Sequence, residues 1–325
     1  MPSIDAYPDV VIHEIAKRLD YGTIKALKLT NRHIYAALSD SLLWIELCER
    51  DNSVLPSREF RRSLAEGAEN DESRVGQLDF ERIWVKNPFR PNLVPPTLPT
   101  ADAMEREYGW KFSSNGHRID RSGMVIEEPP AGVEPHADIV RCFATSYTWG
   151  QRLMQINLVK EGVPEWILDR VRPRIIISEL VAPRWDCASV YEMHAQLLRE
   201  GEMFDTRAVL PRRSGVQKRA WEQWTNPARW ERVEIVFADY PAGMRDIAVM
   251  SQGKDQQFWA GNYGSKFANL EIRIEMPNEA RWLSEEEFPD GEREYSDEHA
   301  PFISMRNVVG RPGGILGRFF GRRNN

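Results

Sequence analysis

The 325-residue sequence predicts two units of different fold class, a small α-helical unit followed by a larger all-β domain. Apolar residues recur at helical spacing from residue 4 to about residue 50, whereas apolar and polar residues alternate in several stretches between residues 80 and 277. No βαβ rhythm is present, which argues against a parallel α/β sheet. We therefore divide the chain into a helical unit (4–50), a connector (51–79), a β domain (80–277) and a C-terminal tail (278–325).

Three short helices are predicted in the helical unit. Pro8 suits a helix start because its missing N–H would be unpaired there, and further starts are expected after Asp20 and Asp40. Apolar residues mark the inward faces of the helices: Val11, Ile15, Leu19, Ile24, Leu27, Ile34, Leu38, Leu43, Trp44 and Leu47. So short a segment buries little surface alone, so we expect it to present apolar residues to a partner.

The connector and the tail are polar. Residues 51–79 are expected to form a helical or partly disordered connector. The tail carries an acidic run at 285–287 and then a Gly/Arg-rich segment, which predicts disorder. The alternative is a basic and aromatic tail that touches RNA or an anionic membrane.

Six stretches of the β domain have the pattern of strands. Strands with one polar face are typical of antiparallel sheets in a sandwich or barrel. Ten of the eleven Trp residues follow residue 80, more than such a core needs. Some aromatic side chains are therefore expected at a binding site or interface. The predicted strands are 154–158, 174–177, 191–197, 233–237, 246–249 and 270–276.

Charge and composition argue against a nucleic-acid partner and against membrane insertion. The formal net charge of −6 provides no attraction to phosphate backbones, so no nucleic-acid partner is expected. No apolar run approaches the roughly 18 residues that span a bilayer, so we expect no membrane insertion and a cytoplasmic or nucleocytoplasmic protein. Cys48, Cys142 and Cys187 are expected to be reduced, buried thiols.

The sequence contains no metal, nucleotide or nucleophile motif, and we assign no catalytic residue, metal ligand or cofactor. His194 lies near Cys187 in sequence, but it shares a polar strand face with Glu192, which indicates an exposed or hydrogen-bonded histidine rather than a nucleophile pair. Carboxylates beside Gly or Pro are expected to serve turns rather than acid–base chemistry: Asp239, Asp246 and Asp255. We therefore expect a protein that recognises rather than catalyses.

Three segments of the helical unit, 7–19, 24–32 and 43–48, resemble the F-box, a three-helix motif that opens with Leu-Pro and closes near a Leu-Trp pair. Tyr7 replaces the usual Leu, and Thr-Asn-Arg at 30–32 replaces Val-Cys-Arg. The resemblance implies docking on the Skp adaptor of a cullin-RING ubiquitin ligase. The alternative is an unrelated helical cap that uses the same residues internally. The implied adaptor contacts are Pro8, Ile15, Leu19, Leu27, Leu29, Trp44 and Leu47.

The β domain resembles the F-box-associated domain of the sugar-recognising F-box proteins. That resemblance implies a jelly-roll-like antiparallel β-sandwich of about ten strands, following an F-box in the same order as here. The segments that carry it are 87–89, 92–93, 143–149, 184–186, 191–192, 240–245 and 258–264.

In that family, loops at one end of the sandwich grip the inner chitobiose of N-linked high-mannose glycans. Trp259 matches the stacking Trp, whereas Phe258 stands where the family has Tyr and Ala260 where it has Lys. The lost hydroxyl and ammonium groups represent tenfold or more in affinity, at about 0.5–3 kcal/mol per hydrogen bond. The resemblance suggests Tyr147 as the opposite wall of the site. It also suggests polar contacts from Asp186 and Asn262.

These features predict a non-catalytic substrate receptor of a Skp–cullin–F-box ubiquitin ligase that directs glycoproteins or misfolded proteins to degradation. Two alternatives stay open. In the first, the sandwich binds a non-glycosylated protein, and Trp259 is a core residue or a protein-binding hot spot. In the second, the chain is only a structural or adaptor-sequestering module.

Overall fold

The computed structural model describes residues 7–70, 77–114, 117–118, 123–283, 288–291 and 294–295. Seven α-helices precede the first strand in this part of the chain: α1 (Asp9–Ala16), α2 (Tyr21–Lys28), α3 (Arg32–Ala37), α4 (Ser41–Arg50), α5 (Arg58–Asn70), α6 (Phe80–Lys86) and α7 (Ala101–Tyr108). One π-helical turn, Ile167–Val171, lies among the strands. No helix in the described ranges combines the length and apolar character needed to cross a membrane.

The strands form two larger antiparallel sheets and one small one. They are β1 (Lys111–Ser114), β2 (His117–Arg118), β3 (Met124–Glu127), β4 (Cys142–Thr145), β5 (Gly150–Asn157), β6 (Arg174–Ala182), β7 (Ser189–Leu198), β8 (Ala208–Val209), β9 (Ser214–Trp221), β10 (Glu231–Phe237), β11 (Asp246–Asp255), β12 (Lys266–Glu275) and β13 (Glu294–Tyr295). The six-stranded sheet has the order β2-β1-β5-β11-β7-β9, and the five-stranded sheet has the order β10-β6-β12-β4-β3. Strands β8 and β13 pair separately.

Strands β4 to β7 and β9 to β12 alternate between the two larger sheets, which is the strand order of a jelly roll. The main apolar cluster draws residues from both sheets. The predicted antiparallel sandwich is thus confirmed, and each of the six predicted strands lies within or overlaps an observed one.

The helical unit contains four helices, so the prediction of three is wrong. The predicted second helix is divided at Asn31, which has an extended backbone and whose side chain accepts a hydrogen bond from Ile34 N. The Thr30 hydroxyl donates to Leu27 O just before the break. Asn and Thr compete locally with helical hydrogen bonding, so they end one helix and start another. The expected starts at Asp20 and Asp40 are confirmed by their capping bonds.

The helical unit packs on the β domain through one aromatic joint. The ring centroid of Trp44 in α4 lies 5.4 Å from that of Trp84 in α6, and Tyr21 lies 5.8 Å from Trp84. Beside these rings, Lys28 forms an ion pair of 2.6 Å with Glu81. Helix α6 therefore covers the apolar cluster that we expected an external partner to complete.

The described part of the connector contains helix α5, as one of the two alternatives predicted. Phe60 and Leu64 of α5 are buried in the main cluster of the β domain. The Ser57 hydroxyl donates to Asn278 O at 3.1 Å, and Ala280 N donates to Ser63 Oγ at 2.8 Å. These contacts make α5 part of the β domain's structure.

The expectation of a disordered tail from residue 278 is wrong for its first part. Trp282 stacks on Trp166 with centroids 5.7 Å apart. The Asp290 carboxylate lies 3.0 Å from both Arg199 and Arg213. Burial opposes its charge, but hydrogen bonds and charge from the two arginines lower the pKa of Asp290 overall. The acidic run at 285–287 and the Gly/Arg-rich segment lie outside the described residues.

The outer face of the six-stranded sheet is largely buried over its central strands β7 and β11, where the alternation predicted a solvent-facing surface, whereas the edge strand β9 keeps exposed residues. Phe204, from the segment between β7 and β8, packs there with Leu198 and Met250. Farther along the same face, the Gln151 side-chain amide donates to Gln252 Oε1 at 2.6 Å. Gln252 in turn donates to Glu192 Oε2 at 2.7 Å. Polar alternation thus marks a face whose polar groups satisfy one another.

The three cysteines are free and buried, as predicted. Burial raises the pKa of Cys48 to about 11, that of Cys142 to about 12 and that of Cys187 to about 11. Thiols with such values stay protonated at neutral pH and are poor nucleophiles.

A charged pair lies in the core between the sheets. Arg152 on β5 donates to Glu179 on β6 at 2.7 Å, and both side chains are at most 1% exposed. The other Glu179 oxygen accepts from the hydroxyls of Tyr191 at 2.5 Å and Ser251 at 2.6 Å. The guanidinium carbon lies 4.9–5.5 Å from the ring centroids of Trp110, Phe143 and Phe267.

We predict that Arg152→Met lowers the free energy of unfolding by about 3–5 kcal/mol, because it leaves the Glu179 carboxylate buried without its cation. The double variant Arg152→Met/Glu179→Leu removes both charges and should be more stable than the single variant. Urea unfolding followed by tryptophan fluorescence measures both. A double variant less stable than Arg152→Met would contradict the prediction.

Candidate functional site

Four loops meet at one end of the sandwich because the jelly-roll strands alternate between sheets: 146–149, 183–188, 222–230 and 256–265. Hydrogen bonds join them in series. Asp255 N donates to Ser146 O at 2.8 Å, and Gln256 N donates to Ala188 O at 2.9 Å. The Gln223 side-chain amide reaches Asp186 O at 3.2 Å. We call these four segments the loop end.

Aromatic side chains are exposed at the loop end. Tyr147 is 41% exposed, Trp224 61%, Phe258 74% and Trp259 37%. Among the described residues of the β domain, these four are the aromatic side chains with more than about a third of their surface in solvent. Scattered exposed apolar residues are normal, but aromatic rings gathered in one place mark a site of interaction.

Trp259 is supported by a short chain of ring and charge contacts. Its ring meets Tyr263 edge to face, with centroids 5.5 Å apart. The guanidinium of Arg184 lies 4.4 Å from the Tyr263 ring centroid and donates to Asp186 at 2.6 Å. The Asp186 side chain, 17% exposed, is therefore already engaged by a cation. Arg184 and Tyr263 thus position Trp259 and Asp186 relative to each other.

Asp255, at the end of β11, anchors the 256–265 loop that carries Phe258 and Trp259. Its Oδ1 accepts a hydrogen bond of 2.7 Å from Phe258 N, and Phe258 has a left-handed backbone with φ of 58°. The Asp255 side chain is buried, and its Oδ2 makes no hydrogen bond. Burial raises the pKa of Asp255, although backbone N–H groups of the loop oppose this. The expected role of Asp255 in a turn is confirmed.

Lys266 anchors the other end of the same loop. Its ammonium group is fully buried, donates to Asn262 O at 2.5 Å and lies 3.4 Å from Glu127. Burial lowers the pKa of Lys266, an effect that the Glu127 charge partly offsets. The segment from Phe258 to Asn262 is therefore held between two buried charged side chains.

All five residues expected to contact substrate lie at the loop end: Tyr147, Asp186, Phe258, Trp259 and Asn262. Sequence reasoning missed Trp224, Tyr263 and the anchors Asp255 and Lys266 as parts of this site. Lys266 stands between Ser265 and Phe267, and this sequence context gave no sign of its burial. The exposure of Trp224 depends on a left-handed backbone that a sequence pattern does not reveal.

The structure does not bring together the residues considered for nucleophilic chemistry. Cys187 Sγ contacts Gln257 Oε1 at 2.8 Å, whereas His194 lies 3.1 Å from Glu192. His194 is buried and hydrogen-bonded, which confirms one of the two roles expected for it. In the described part of the chain, no three His, Cys, Asp or Glu residues cluster as metal ligands would.

The residues expected to contact an adaptor differ in exposure. Pro8 is exposed and Leu29 is 82% exposed, whereas Ile15, Leu19 and Leu27 are half-buried. Trp44 and Leu47 lie in the core, at 2% and 0% exposure. Trp44 packs on Trp84 within the chain, and both Trp44 and Leu47 belong to the core of the helical unit, so they have little surface for direct contact with an adaptor. Further apolar residues exposed in the helical unit are Tyr7, Val10, Tyr35 and Leu42.

The described chain is thus a helical unit joined to a jelly roll whose loops expose aromatic side chains, and sequence comparison specifies its family. The family described as the F-box associated region matches residues 84–274. F-box only protein 6 of Homo sapiens is 32% identical over 252 residues, which cover 77% of this chain and 80% of that protein. The Mus musculus protein of the same name is 30% identical over 243 residues, covering 72% and 77%. F-box only protein 17 of Homo sapiens is 26% identical over 281 residues, covering 84% and 93%.

The chain therefore belongs to the F-box associated family, and its homologues are F-box only proteins. The matched residues include all four loops of the candidate site.

We predict that Asp255→Asn gains stability relative to the wild-type protein as pH rises. The folded-state pKa of Asp255 lies above its ordinary value of 3.8. The wild-type protein therefore loses stability as pH rises from this ordinary value to the folded-state pKa. Asn keeps the acceptor for Phe258 N and does not titrate. Urea unfolding between pH 4 and pH 7 measures the difference, with the exposed Asp138→Asn as control. A pH-independent difference would refute the assignment.

Proposed function

We propose that this chain is the substrate-recognition subunit of a Skp–cullin–F-box ubiquitin ligase. In this proposal the helices bind the adaptor, and the loop end binds glycoproteins that are directed to degradation in the cytoplasm. The observation that carries the proposal is the group of four exposed aromatic side chains on loops that hydrogen bonds join to one another. The chain itself contributes binding and position, and other subunits carry out the chemistry.

The loop end has the chemistry that carbohydrate recognition needs. Trp259 offers a ring that stacks on the apolar face of a sugar. Asp186 and Asn262 place polar groups in the neighbouring loop segments, and the positive charge of Arg184 is balanced by Asp186. A site without excess charge suits a neutral sugar better than an acidic or basic peptide.

The exposed residues of the helical unit support adaptor binding. Val10, Leu29 and Leu42 are each at least 65% exposed, although the unit has a core of its own. Apolar side chains left in solvent on so small a unit favour a protein partner. Trp44 and Leu47 shape this surface from below.

The joint between Trp44 and Trp84 links the two proposed activities. Since aromatic packing and the Lys28–Glu81 pair fix the helices to α6, a substrate at the loop end would stay at a defined position relative to the adaptor. Holding reactants in one assembly raises their effective concentration, which is how a receptor without catalytic groups accelerates a reaction.

A receptor for a non-glycosylated protein is the second candidate, and Ala260 favours it. This exposed alanine lies next to Trp259 and has no polar group for a sugar hydroxyl or acetamide. Exposed Trp and Tyr side chains are also typical of protein-binding hot spots.

We predict that millimolar chitobiose raises the melting temperature of the full chain and that Trp259→Ala abolishes this shift. A ligand at ten times its Kd adds about 1.4 kcal/mol to the free energy of unfolding. The full chain is used because α5 supplies core residues to the β domain. Tyr35→Ala is the matched control, since Tyr35 is 56% exposed on the helical unit.

Capture of the chain by immobilised high-mannose glycoprotein, competed by chitobiose, supplies a second readout. Absence of both effects in folded protein would exclude the glycan proposal and favour the second candidate.

We predict that Leu29→Asp abolishes co-purification of the Skp adaptor and cullin while leaving the melting temperature unchanged, because Leu29 is 82% exposed. Val140→Asp is the matched control, since Val140 is a 76% exposed aliphatic residue on the β domain. Equal recovery of the adaptor with wild-type protein and both variants would show that Leu29 is not part of the interface.

A further inference from the structure

Trp224 is exposed by the conformation of its own backbone. It is 61% exposed in the 222–230 loop and has a φ of 66°, which is rare for a bulky side chain. Phe258 is the other aromatic residue with a positive φ among the described residues, and it is 74% exposed. Two loops at the same end thus use the same conformation to turn a ring outward, as functional loops often do.

The neighbours of Trp224 hold this conformation in place. The Gln223 amide donates to Asp186 O in the adjacent loop, and the Thr225 hydroxyl donates to Glu222 O at 2.7 Å. These bonds fix the residues on both sides of Trp224. The loop therefore holds the Trp224 ring in an ordered, exposed position.

Trp185 supports Trp224. The two ring centroids lie 5.4 Å apart with planes inclined at 54°. Trp185 rests on Gly132, where a Cβ atom would come within 2.1 Å of the indole ring. Gly132 also has a φ of 87°, so both space and backbone require glycine there.

Residues 184–186 link the pair of Trp185 and Trp224 to the ring contacts that support Trp259. Arg184, which precedes Trp185 in sequence, stacks over Tyr263, and Tyr263 contacts Trp259. On the other side, Asp186 O accepts from Gln223, next to Trp224, and Arg184 and Asp186 form an ion pair between the two sets of rings. Apolar faces separated by polar groups without net charge match an oligosaccharide, whose rings have apolar faces and hydroxyl edges.

We propose that Trp224 is a second stacking residue, which takes a sugar unit beyond the one that stacks on Trp259. The inference rests on the proposed glycan-binding function and extends it. The loop end then selects an oligosaccharide longer than a disaccharide, with Trp259 required for all glycans and Trp224 only for longer ones.

Isothermal titration of the full chain with chitobiose and with the released Man9GlcNAc2 oligosaccharide tests the proposal. We expect the wild-type protein to bind the longer glycan more tightly. Trp224→Ala should weaken binding of the longer glycan about five- to tenfold, the contribution of one stacked ring, and leave chitobiose binding unchanged. Trp224→Phe, which keeps a ring, should restore most of the affinity, and Tyr35→Ala should change neither.

Each other outcome is decisive. If chitobiose and the longer glycan both fail to bind the wild-type protein, the proposed function fails, and this inference fails with it. If both bind and Trp224→Ala weakens neither, or weakens both equally, the proposed function survives and the role of Trp224 as a separate subsite is overturned.

Discussion

The ion pair between Arg152 and Glu179 is the constraint on which the position of the loops depends. It connects the two sheets in the buried core, where Arg152, Tyr191 and Ser251 together donate to both oxygens of Glu179, as burial of such a carboxylate requires. Strands that flank three of the four loops meet at this pair. Their contributions are Phe143 from β4, Arg152 from β5, Glu179 from β6, Tyr191 from β7, Ser251 from β11 and Phe267 from β12. A shift of one sheet over the other would break several of these contacts together, so the loops they carry are held in register.

A second joint extends this order to the helical unit. Trp84 contacts both Trp44 and Tyr21, so a single ring of α6 fixes two helices. On its other side, the segment after α6 enters the sandwich. The Asn92 side chain accepts from Ile272 N and donates to Leu270 O, at 3.0 and 3.1 Å, where the pairing of β12 is irregular. An amide thus replaces strand partners at a bulge. Among the described residues, side-chain contacts thus run from α2 and α4 through α6 and Asn92 to β12.

The strands were predictable because each buries at least one apolar face, and this produces period-two alternation even when the other face is also covered. Alternation does not reveal whether other segments cover the polar face of a strand. Gln252 and Glu192 have the pattern of surface residues, but distant segments and cross-strand hydrogen bonds enclose them. The division of the predicted second helix at Asn31 depended on a competing local hydrogen bond. The resemblance located three of the four site loops. The fourth, with Trp224, was missed because its exposure follows from backbone handedness and from support by Trp185.

The loop end combines strained backbone with buried charged groups, and both features lower the stability of the folded protein. Left-handed conformations at Phe258 and Trp224 cost of order 1–3 kcal/mol each, and the buried Asp255 and Lys266 add desolvation. The remainder of the sandwich must offset these costs, which links the stability of the core to the existence of the site. In return, the rings are ordered before a ligand arrives, and binding need not supply the free energy of fixing them. In the proposed function, affinity at this end would depend on polar contacts around rings that are already in place, so the absence of an ammonium group at Ala260 would affect which ligand is chosen more than whether the loops can form a site.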